Sequence, residues 1–260
     1  MKRGLRIGDR IILIVAGFFF ITPFLAAAEY SLRGYGGKGH TFANYTWIFK
    51  QIGFSPALFT SLRIAALSVA LLLLLMIPTV VYVQLAGRKW ARLVEIMCLL
   101  PIVIPVVSLA IGAQVAMPKT LQSTSYELCF FYVIICMPYV YRTLNTGLQA
   151  ISLPTLVEAS SSLGATGLKT LILVIVPAIG SATLGAVFIT FAISMGEYAL
   201  AVLLHFHTLT TWATNASQEN LYGSVAISVG SLFSIWILLV IFAYVPVIKS
   251  ALNKKKETVE

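Results

Sequence analysis

The sequence predicts an all-α membrane protein with six transmembrane helices. Of its 260 residues, 59% are hydrophobic and only 10% are charged, whereas a soluble domain carries about a quarter charged residues. The mean hydropathy is +0.93. A helix needs roughly 20 apolar residues to cross a bilayer. Six runs come near that length: Arg10–Ala28, Ser61–Leu85, Val94–Val115, Glu127–Leu144, Leu171–Ile193 and Ala226–Ile248.

The positions of the Lys and Arg residues, which give the chain a net charge of +9, indicate how these helices are oriented. Lys and Arg crowd the cytoplasmic flanks of membrane helices. With the N-terminus inside, 13 of the 18 Lys and Arg residues fall on the cytoplasmic side. We therefore expect both termini and the segment around Glu158 in the cytoplasm. The basic balance is then a topology signal, and no nucleic-acid partner is expected.

The chain divides into three predicted regions. Residues 1–60 hold the first transmembrane helix and an outer segment, in which Phe42–Phe59 is expected to lie along the membrane surface. Residues 61–250 form the main transmembrane domain, with a cytoplasmic loop at about 150–168, and residues 251–260 form a cytoplasmic tail. The first run is too long for a signal peptide, and Glu29-Tyr30 is a poor cleavage site, so this helix is expected in the mature protein.

Two prolines predict bends in the third run. Pro101 and Pro105 each remove a backbone donor, and membranes tolerate such bends where neighbouring helices satisfy the freed carbonyls. This span is therefore expected inside a bundle. The three cysteines, Cys98, Cys129 and Cys136, lie in predicted spans without metal-site spacing, and they are expected to be small buried side chains.

No catalytic or metal-binding constellation is visible in the sequence. The single Asp and eight Glu residues are scattered, and the pattern of a metalloprotease or a serine hydrolase does not occur. An intramembrane hydrolase would need a Ser–His pair or paired acids at depth, so this class is not favoured. We expect no catalytic residue, no metal and no cofactor on this chain; an ATP–Mg site would have to lie on another polypeptide.

The most informative stretch is EASSSLGATGLKTLILVIVP, residues 158–177. Before it, Ser152 and Pro154 predict a helix start, with Ser as the cap and Pro in the first turn. Leu153, Leu156 and Val157 follow helical spacing and give a short apolar edge. Gly164 then predicts a sharp turn with positive φ.

The spacing in this stretch resembles the EAA loop of permease subunits of binding-protein-dependent ATP-binding-cassette importers. That pattern is Glu-Ala-Ala, three residues, Gly, nine residues and Ile-x-Leu-Pro. Here Glu158-Ala159-Ser160, Gly164 and Val174–Pro177 stand at the same intervals. Ser160 replaces the second Ala, and Val174 and Val176 replace Ile and Leu.

The resemblance implies the type I importer permease fold, also called MetI-like, in a bacterial inner membrane. It implies a second, like or unlike permease subunit, two cytoplasmic ATPase subunits and an extracytoplasmic solute-binding protein as partners, besides membrane lipid. The loop would be the coupling helix that docks on the ATPase, with Glu158 pairing with a basic group there. The implied coupling residues are Glu158, Ala159, Ser160, Leu163, Gly164 and Pro177, the last as a kink toward the translocation path.

A second stretch bears on the cargo. Ser194-Met195-Gly196-Glu197-Tyr198 resembles a Ser-Leu-Gly-Asp/Glu-Tyr/Phe stretch of the polyamine, iron and phosphonate branch of these permeases. For a cationic cargo such as spermidine or putrescine, Glu197 would stabilise the amines and Tyr198 would offer a cation–π face. The alternative is an interfacial Glu197 that faces water. Ser194, Glu197 and Tyr198 are the candidate path residues.

Other cargoes and another mechanism stay open on the sequence alone. The same machinery could carry a phosphonate, ferric iron or a sugar. A stand-alone secondary carrier would need ionisable residues in mid-span for ion coupling, and the spans offer almost none. The importer permease is therefore the preferred interpretation.

Overall fold

The described part of the chain is helical, as the sequence predicts. The computed structural model describes residues 7–34, 39–122, 124–237 and 240. Within these residues the single β-type pairing is an isolated antiparallel bridge between Arg33 and His40. The prediction of an all-α protein is confirmed. The predicted tail 251–260 and the end of the sixth run lie outside the described residues.

Fourteen α-helices and one π-helical segment follow one another in the described residues. The first seven helices are α1 Ile7–Ser31, α2 Ala43–Lys50, α3 Phe54–Ala86, α4 Arg88–Val103, α5 Val106–Ala116, α6 Lys119–Gln122 and α7 Glu127–Gln149. After these come α8 Leu153–Ser162, α9 Gly167–Thr170, the π-helical segment Leu171–Ile175, α10 Val176–Ala178 and α11 Gly180–Gly196. The last three are α12 Ala199–Leu203, α13 Leu209–Glu219 and α14 Leu221–Ile237.

The membrane-length helices match the predicted runs. In the described residues α1, α3 and α7 are each long and apolar enough to cross a membrane unbroken. Two bent pairs reach that length when each pair is taken as one span: α4 with α5, and Gly167–Ala178 with α11. The sixth predicted run begins within α14.

The third run breaks at one of its two prolines. α4 contains Pro101 and continues to Val103, whereas Ile104 is extended, with φ −81° and ψ 123°. The residue before a proline avoids the α conformation, so the break falls at Ile104-Pro105. The bend at Pro105 is confirmed, and α4 continues through Pro101.

The expectation that this span is enclosed by a bundle is wrong for this chain by itself. Ile102, Val103 and Val115 are 56%, 79% and 83% exposed, while Cys98 and Ala110 are buried. One narrow stripe of α4 and α5 packs on the chain, and the rest faces outward. Surroundings other than this chain must cover the apolar remainder.

The described residues group into two compact units. The first is drawn from Met1–Ser55 and Trp212–Glu260. Its core is Ile48, Ala226 and Ile227, with Trp47 and Trp212 packed around it.

The predicted interfacial helix Phe42–Phe59 is wrong in extent. The structure has α2 over Ala43–Lys50, while Phe54 already belongs to α3. The chain turns between them at Gly53, whose φ is +90°, a conformation that favours glycine. In the first unit the Trp212 indole N–H donates to the Ile52 carbonyl at 3.4 Å, which fixes this turn.

The second unit, Pro56–Thr211, holds the larger cores. Along α7, Val140, Leu144 and Leu148 pack in one cluster with Ile175 and Ala186. Other α7 side chains pack in a second cluster with α3, α5 and α12. α7 is therefore the central helix of this unit.

Small side chains set the crossing of α7 and α11. A Cβ added at Gly147 would overlap the Cβ of Ala182, and one at Gly185 would lie 3.2 Å from Thr143 Cγ2. Small residues let membrane helices approach closely. The start of α11 is thus held tightly against the end of α7.

The three cysteines are free and buried, as predicted.

Candidate functional site

The predicted coupling segment begins with α8, whose inner face is anchored in the core. Leu153 is buried in the large cluster of the second unit, and Val157 packs against it together with Leu171. The apolar edge that the sequence indicates is confirmed. Ser152 stands at the N-cap, but its side chain makes no capping hydrogen bond, so the expected Ser cap is wrong. Pro154 occupies the first turn as predicted.

The end of α8 is a glycine-dependent turn. Gly164 has φ +77°, which confirms the predicted positive φ. Its N–H donates to Ser161 O at 2.9 Å, and the Ala165 N–H donates to Ser160 O at 3.0 Å. These two bonds form the Schellman motif, which satisfies the last carbonyls of a helix and favours glycine in the left-handed position. The chain can therefore reverse from α8 into α9 within a few residues.

The outer face of α8 is free of intrachain contacts that would cover it. Glu158 and Ala159 are exposed, and Leu163 at the tip is 89% exposed. Glu158 forms no ion pair with any described residue. An acid, a small residue and a bare aliphatic side chain thus share one accessible surface, which we call the α8 outer face (Glu158, Ala159, Leu163 and Gly164).

Ser160 is also a predicted coupling residue, but unlike Glu158 and Ala159 it faces inward. It is 7% exposed, and its hydroxyl donates to Leu156 O at 2.7 Å. Ser161 and Ser162 also donate to carbonyls four residues earlier, at 2.8 Å and 3.0 Å. The hydroxyl groups of these three serines therefore donate their hydrogen bonds to carbonyls of α8 itself.

Beyond the turn the chain bends sharply after Pro177. The segment Gly167–Ala178, which contains the π-helical turn Leu171–Ile175, meets α11 at 82°. The break lies at Ile179, whose ψ is 24°. The break follows Pro177 by two residues, so the kink predicted at Pro177 is found close behind it. The α8 outer face and α11 are joined through this elbow.

The candidate path residues lie where α11 ends. Ser194 is buried, and its hydroxyl has no hydrogen-bond partner among the described residues. Tyr198 is 41% exposed. Glu197 is half-buried between them.

The Glu197 carboxylate is held by three donors. Oε1 accepts from the Leu200 N–H at 2.9 Å, and Oε2 accepts from the Ala201 N–H at 3.3 Å. The Tyr132 hydroxyl donates to Oε2 at 3.3 Å. Glu197 therefore satisfies the first N–H groups of α12, which lack helical partners. The carboxylate of Glu197 is therefore not simply exposed to water. It is also only partly available to a cargo.

Sequence reasoning missed α12, Tyr132 and the π-helical turn. An acid just before the apolar run Ala199–Leu204 is a helix-start signal, and it could have placed α12 and given Glu197 its capping role. Nothing in the sequence pairs Tyr132 with a residue 65 positions away.

No metal site is formed in the part of the chain that the structure describes. No group of three or more His, Cys, Asp or Glu side chains is placed there to hold an ion. The candidate site therefore has two parts, which are the α8 outer face and the junction of α11 with α12.

The apolar helices and the bent spans are those of a multi-pass membrane protein. A model of the family described as binding-protein-dependent transport system inner membrane component matches residues 84–256. This match covers more than half of the chain, and the chain belongs to this family, whose membership gives it the MetI-like type I permease fold. It is therefore an inner-membrane permease of the ATP-binding-cassette importer class, whose members work with an ATPase and a binding protein.

Proposed function

We propose that this chain is the permease subunit that receives mechanical work from an ATPase subunit through the α8 outer face. The observation that carries the proposal is the exposure of Glu158, Ala159 and Leu163 on a helix whose other face is anchored in the core. A rigidly backed surface can transmit a push, since its inner side chains move with the core. The spacing of the EAA pattern supports the same assignment.

The assembly we propose has a second permease subunit, like or unlike this one, and two ATPase subunits. An extracytoplasmic protein delivers the solute, ATP–Mg binds on the ATPase subunits, and this chain carries no catalytic residue. Both termini and α8 lie in the cytoplasm, as the distribution of Lys and Arg supports. Closing of the ATPase pair then moves α8, and the elbow after Pro177 passes the motion to α11.

Replacement of Glu158 tests the docking role. Glu158→Lys reverses the charge of an exposed residue with no ion pair among the described residues, so folding is expected to be unaffected. If Glu158 pairs with a basic group of the ATPase, the like charges repel and the pair is lost. We expect the ATPase subunit to be lost when the permease is purified through an affinity tag.

Glu219→Lys is the matched control. Glu219 is also exposed and ends α13, on the side of the membrane that the charge distribution assigns to the outside. This variant should retain the ATPase. Normal recovery of the ATPase with Glu158→Lys would contradict the docking role.

For the cargo, we propose a small cationic solute of the polyamine class, such as spermidine or putrescine. Glu197 supports this, since it forms no ion pair with any described residue. A carboxylate has about four acceptor sites, and three donors are accounted for, so one site is open to an amine. Tyr198 beside it exposes 41% of its surface and can offer its ring to a cation.

Uptake kinetics separate this cargo from the alternatives. Glu197→Gln removes the charge at nearly constant size, so the KM for spermidine should rise several-fold. A KM that stays at the wild-type value would remove the support for a cationic cargo and favour an anionic or neutral solute. The coupling proposal would be untouched by that result.

A further inference from the structure

We propose that Tyr132 and Glu197 form a joint that fixes α12 against α7, and that Tyr132 acts in transport as a positioning residue through this joint. The inference rests on the proposed transport function, but it does not depend on the charge of the cargo. Neither the coupling proposal nor the cargo proposal gives Tyr132 a role, and this inference assigns it one.

The first half of the joint is the cap that Glu197 provides. α12 has only five residues, and the residue at its N-cap, Tyr198, makes no capping bond with its side chain. The carboxylate of Glu197 accepts from the Leu200 and Ala201 N–H groups at 2.9 and 3.3 Å. Both residues are fully buried, so water cannot replace the carboxylate as the acceptor for these N–H groups. A buried backbone donor without a partner is strongly destabilising.

The second half of the joint is the phenol of Tyr132. Its side chain is 1% exposed and packs in one cluster with Leu128, Phe131 and Leu200. A buried hydroxyl needs a hydrogen-bond partner, and the one that the structure gives it is Glu197 Oε2. α7 and α12 are thus joined by a polar bond as well as by apolar packing.

Neighbouring bonds hold the rest of the α12 segment. The Phe206 N–H donates to Ala201 O at 2.8 Å and closes the helix end, beside His205 in the left-handed region with φ 59°. Thr210 Oγ1 donates to the Glu197 carbonyl at 2.8 Å. The carbonyl and the carboxylate of Glu197 therefore tie together the end of α11, the start of α12 and the start of α13. Tyr132 links this group to α7.

A joint of this kind sets how firmly the end of α11 is held while the other end is moved. The coupling segment enters α11 at the elbow after Pro177, and Glu197 directly follows the last residue of α11, Gly196. If α12 shifts on α7, motion delivered at the elbow is dissipated instead of being passed on. Loss of the Tyr132 bond is therefore expected to lower the rate of transport without changing the affinity for cargo.

The test compares two buried tyrosines of α7. Tyr132→Phe removes the hydroxyl of the joint. Tyr141→Phe is the matched control, because Tyr141 is 2% exposed and donates to Ala91 O at 3.0 Å, away from α12. Both variants keep their aromatic ring, so both are expected to fold. The complete importer is reconstituted for uptake, and amide hydrogen exchange is followed over residues 198–206.

A single hydrogen bond typically shifts an equilibrium roughly two- to tenfold. For Tyr132→Phe we expect amide exchange at Leu200 and Ala201 to rise by that factor, and the maximal uptake rate to fall with KM unchanged. Tyr141→Phe should leave the exchange of α12 at the wild-type level. The double variant Tyr132→Phe with Glu197→Ala should exchange no faster than Glu197→Ala alone, because Glu197→Ala already removes both oxygens of the joint.

Two outcomes would overturn the joint: wild-type exchange of α12 in Tyr132→Phe, or a raised KM with an unchanged maximal rate. Failure of the ATPase-docking proposal would look different. It would leave the exchange result standing, since exchange can be measured with or without the ATPase bound.

Discussion

The coupling segment and the junction of α11 with α12 use polar side chains in opposite ways. On the α8 outer face, Glu158 is exposed without an ion pair among the described residues, beside a bare Leu163. At the junction, three donors within the chain surround the carboxylate of Glu197. Glu158 lies in the middle of α8 and Glu197 at the end of α11, both in the same compact unit, and only the Glu158 carboxylate is free of intrachain partners among the described residues.

Exposure and hydrogen-bond satisfaction thus distinguish the candidate docking surface from the junction of α11 with α12. Three donors of its own chain hold Glu197 in place and leave one acceptor position of its carboxylate, enough for a cargo amine. An exposed charge backed by a rigid helix keeps its full capacity for a charge-assisted contact.

The largest effect is expected at the turn that presents the α8 outer face. Gly164→Val places a β-branched residue at φ +77°, a conformation that costs up to about 3 kcal/mol. A Cβ there would meet no neighbour, so the backbone alone is strained. Uptake should be nearly abolished while ATP hydrolysis continues, as measured in a reconstituted importer.

Gly167→Val is the control for that turn. A Cβ at Gly167 also meets no neighbour, and Gly167 lacks a positive φ. Uptake should then stay near the wild-type rate. Equal losses in the two variants would show that side-chain bulk, and not the turn, is responsible.

An intermediate effect is expected where α7 and α11 cross. Gly147→Ala would drive a Cβ into the Cβ of Ala182, and overpacking of this kind typically costs about 1–3 kcal/mol, which exceeds the gain in helix propensity. The thermal unfolding midpoint in detergent should fall. Adding Ala182→Gly should restore it, because the overlap is then removed.

Gly180→Ala is the matched control at the crossing. Gly180 begins α11, and a Cβ there has no neighbour within 4 Å. This variant should be as stable as the wild type or slightly more stable. If Ala182→Gly failed to rescue Gly147→Ala, the close approach of the two helices would not be the cause of the loss.

The smallest effect is expected at the start of α8. Removal of an N-cap serine usually costs about 1 kcal/mol, but the Ser152 side chain makes no capping bond. Ser152→Ala should therefore change the free energy of unfolding by less than about 0.5 kcal/mol, as measured by denaturant unfolding in detergent. A loss near 1 kcal/mol would mean that the hydroxyl caps the helix in solution.

The sequence predicts well where one local rule decides the structure. Long apolar runs specify the spans, and a glycine after a short amphipathic helix specifies a left-handed turn, as Gly164 shows. Pro105 removes a backbone donor, and the third span breaks directly before it, at Ile104.

Sequence reasoning fails where two rules compete or where partners are distant in the chain. The interfacial helix ends early, at Lys50, and the chain then turns at Gly53, although the neighbouring residues are apolar and aromatic. Pro101 is accommodated inside α4. The bond from Tyr132 to Glu197 joins residues far apart in sequence, so no local pattern carries it. The candidate docking face could be found in advance, and the joint could not.

Cysteine cross-linking in the assembled importer tests most directly whether the α8 outer face touches the ATPase. The native cysteines are buried, so they give little background. Leu163→Cys places a thiol at a site that is 89% exposed, whereas Ser160→Cys places one at a site that is 7% exposed on the same helix. We predict that a short bifunctional reagent links the first variant to the ATPase subunit and does not link the second. Absence of the Leu163→Cys link, or its formation only within this chain, would contradict the account.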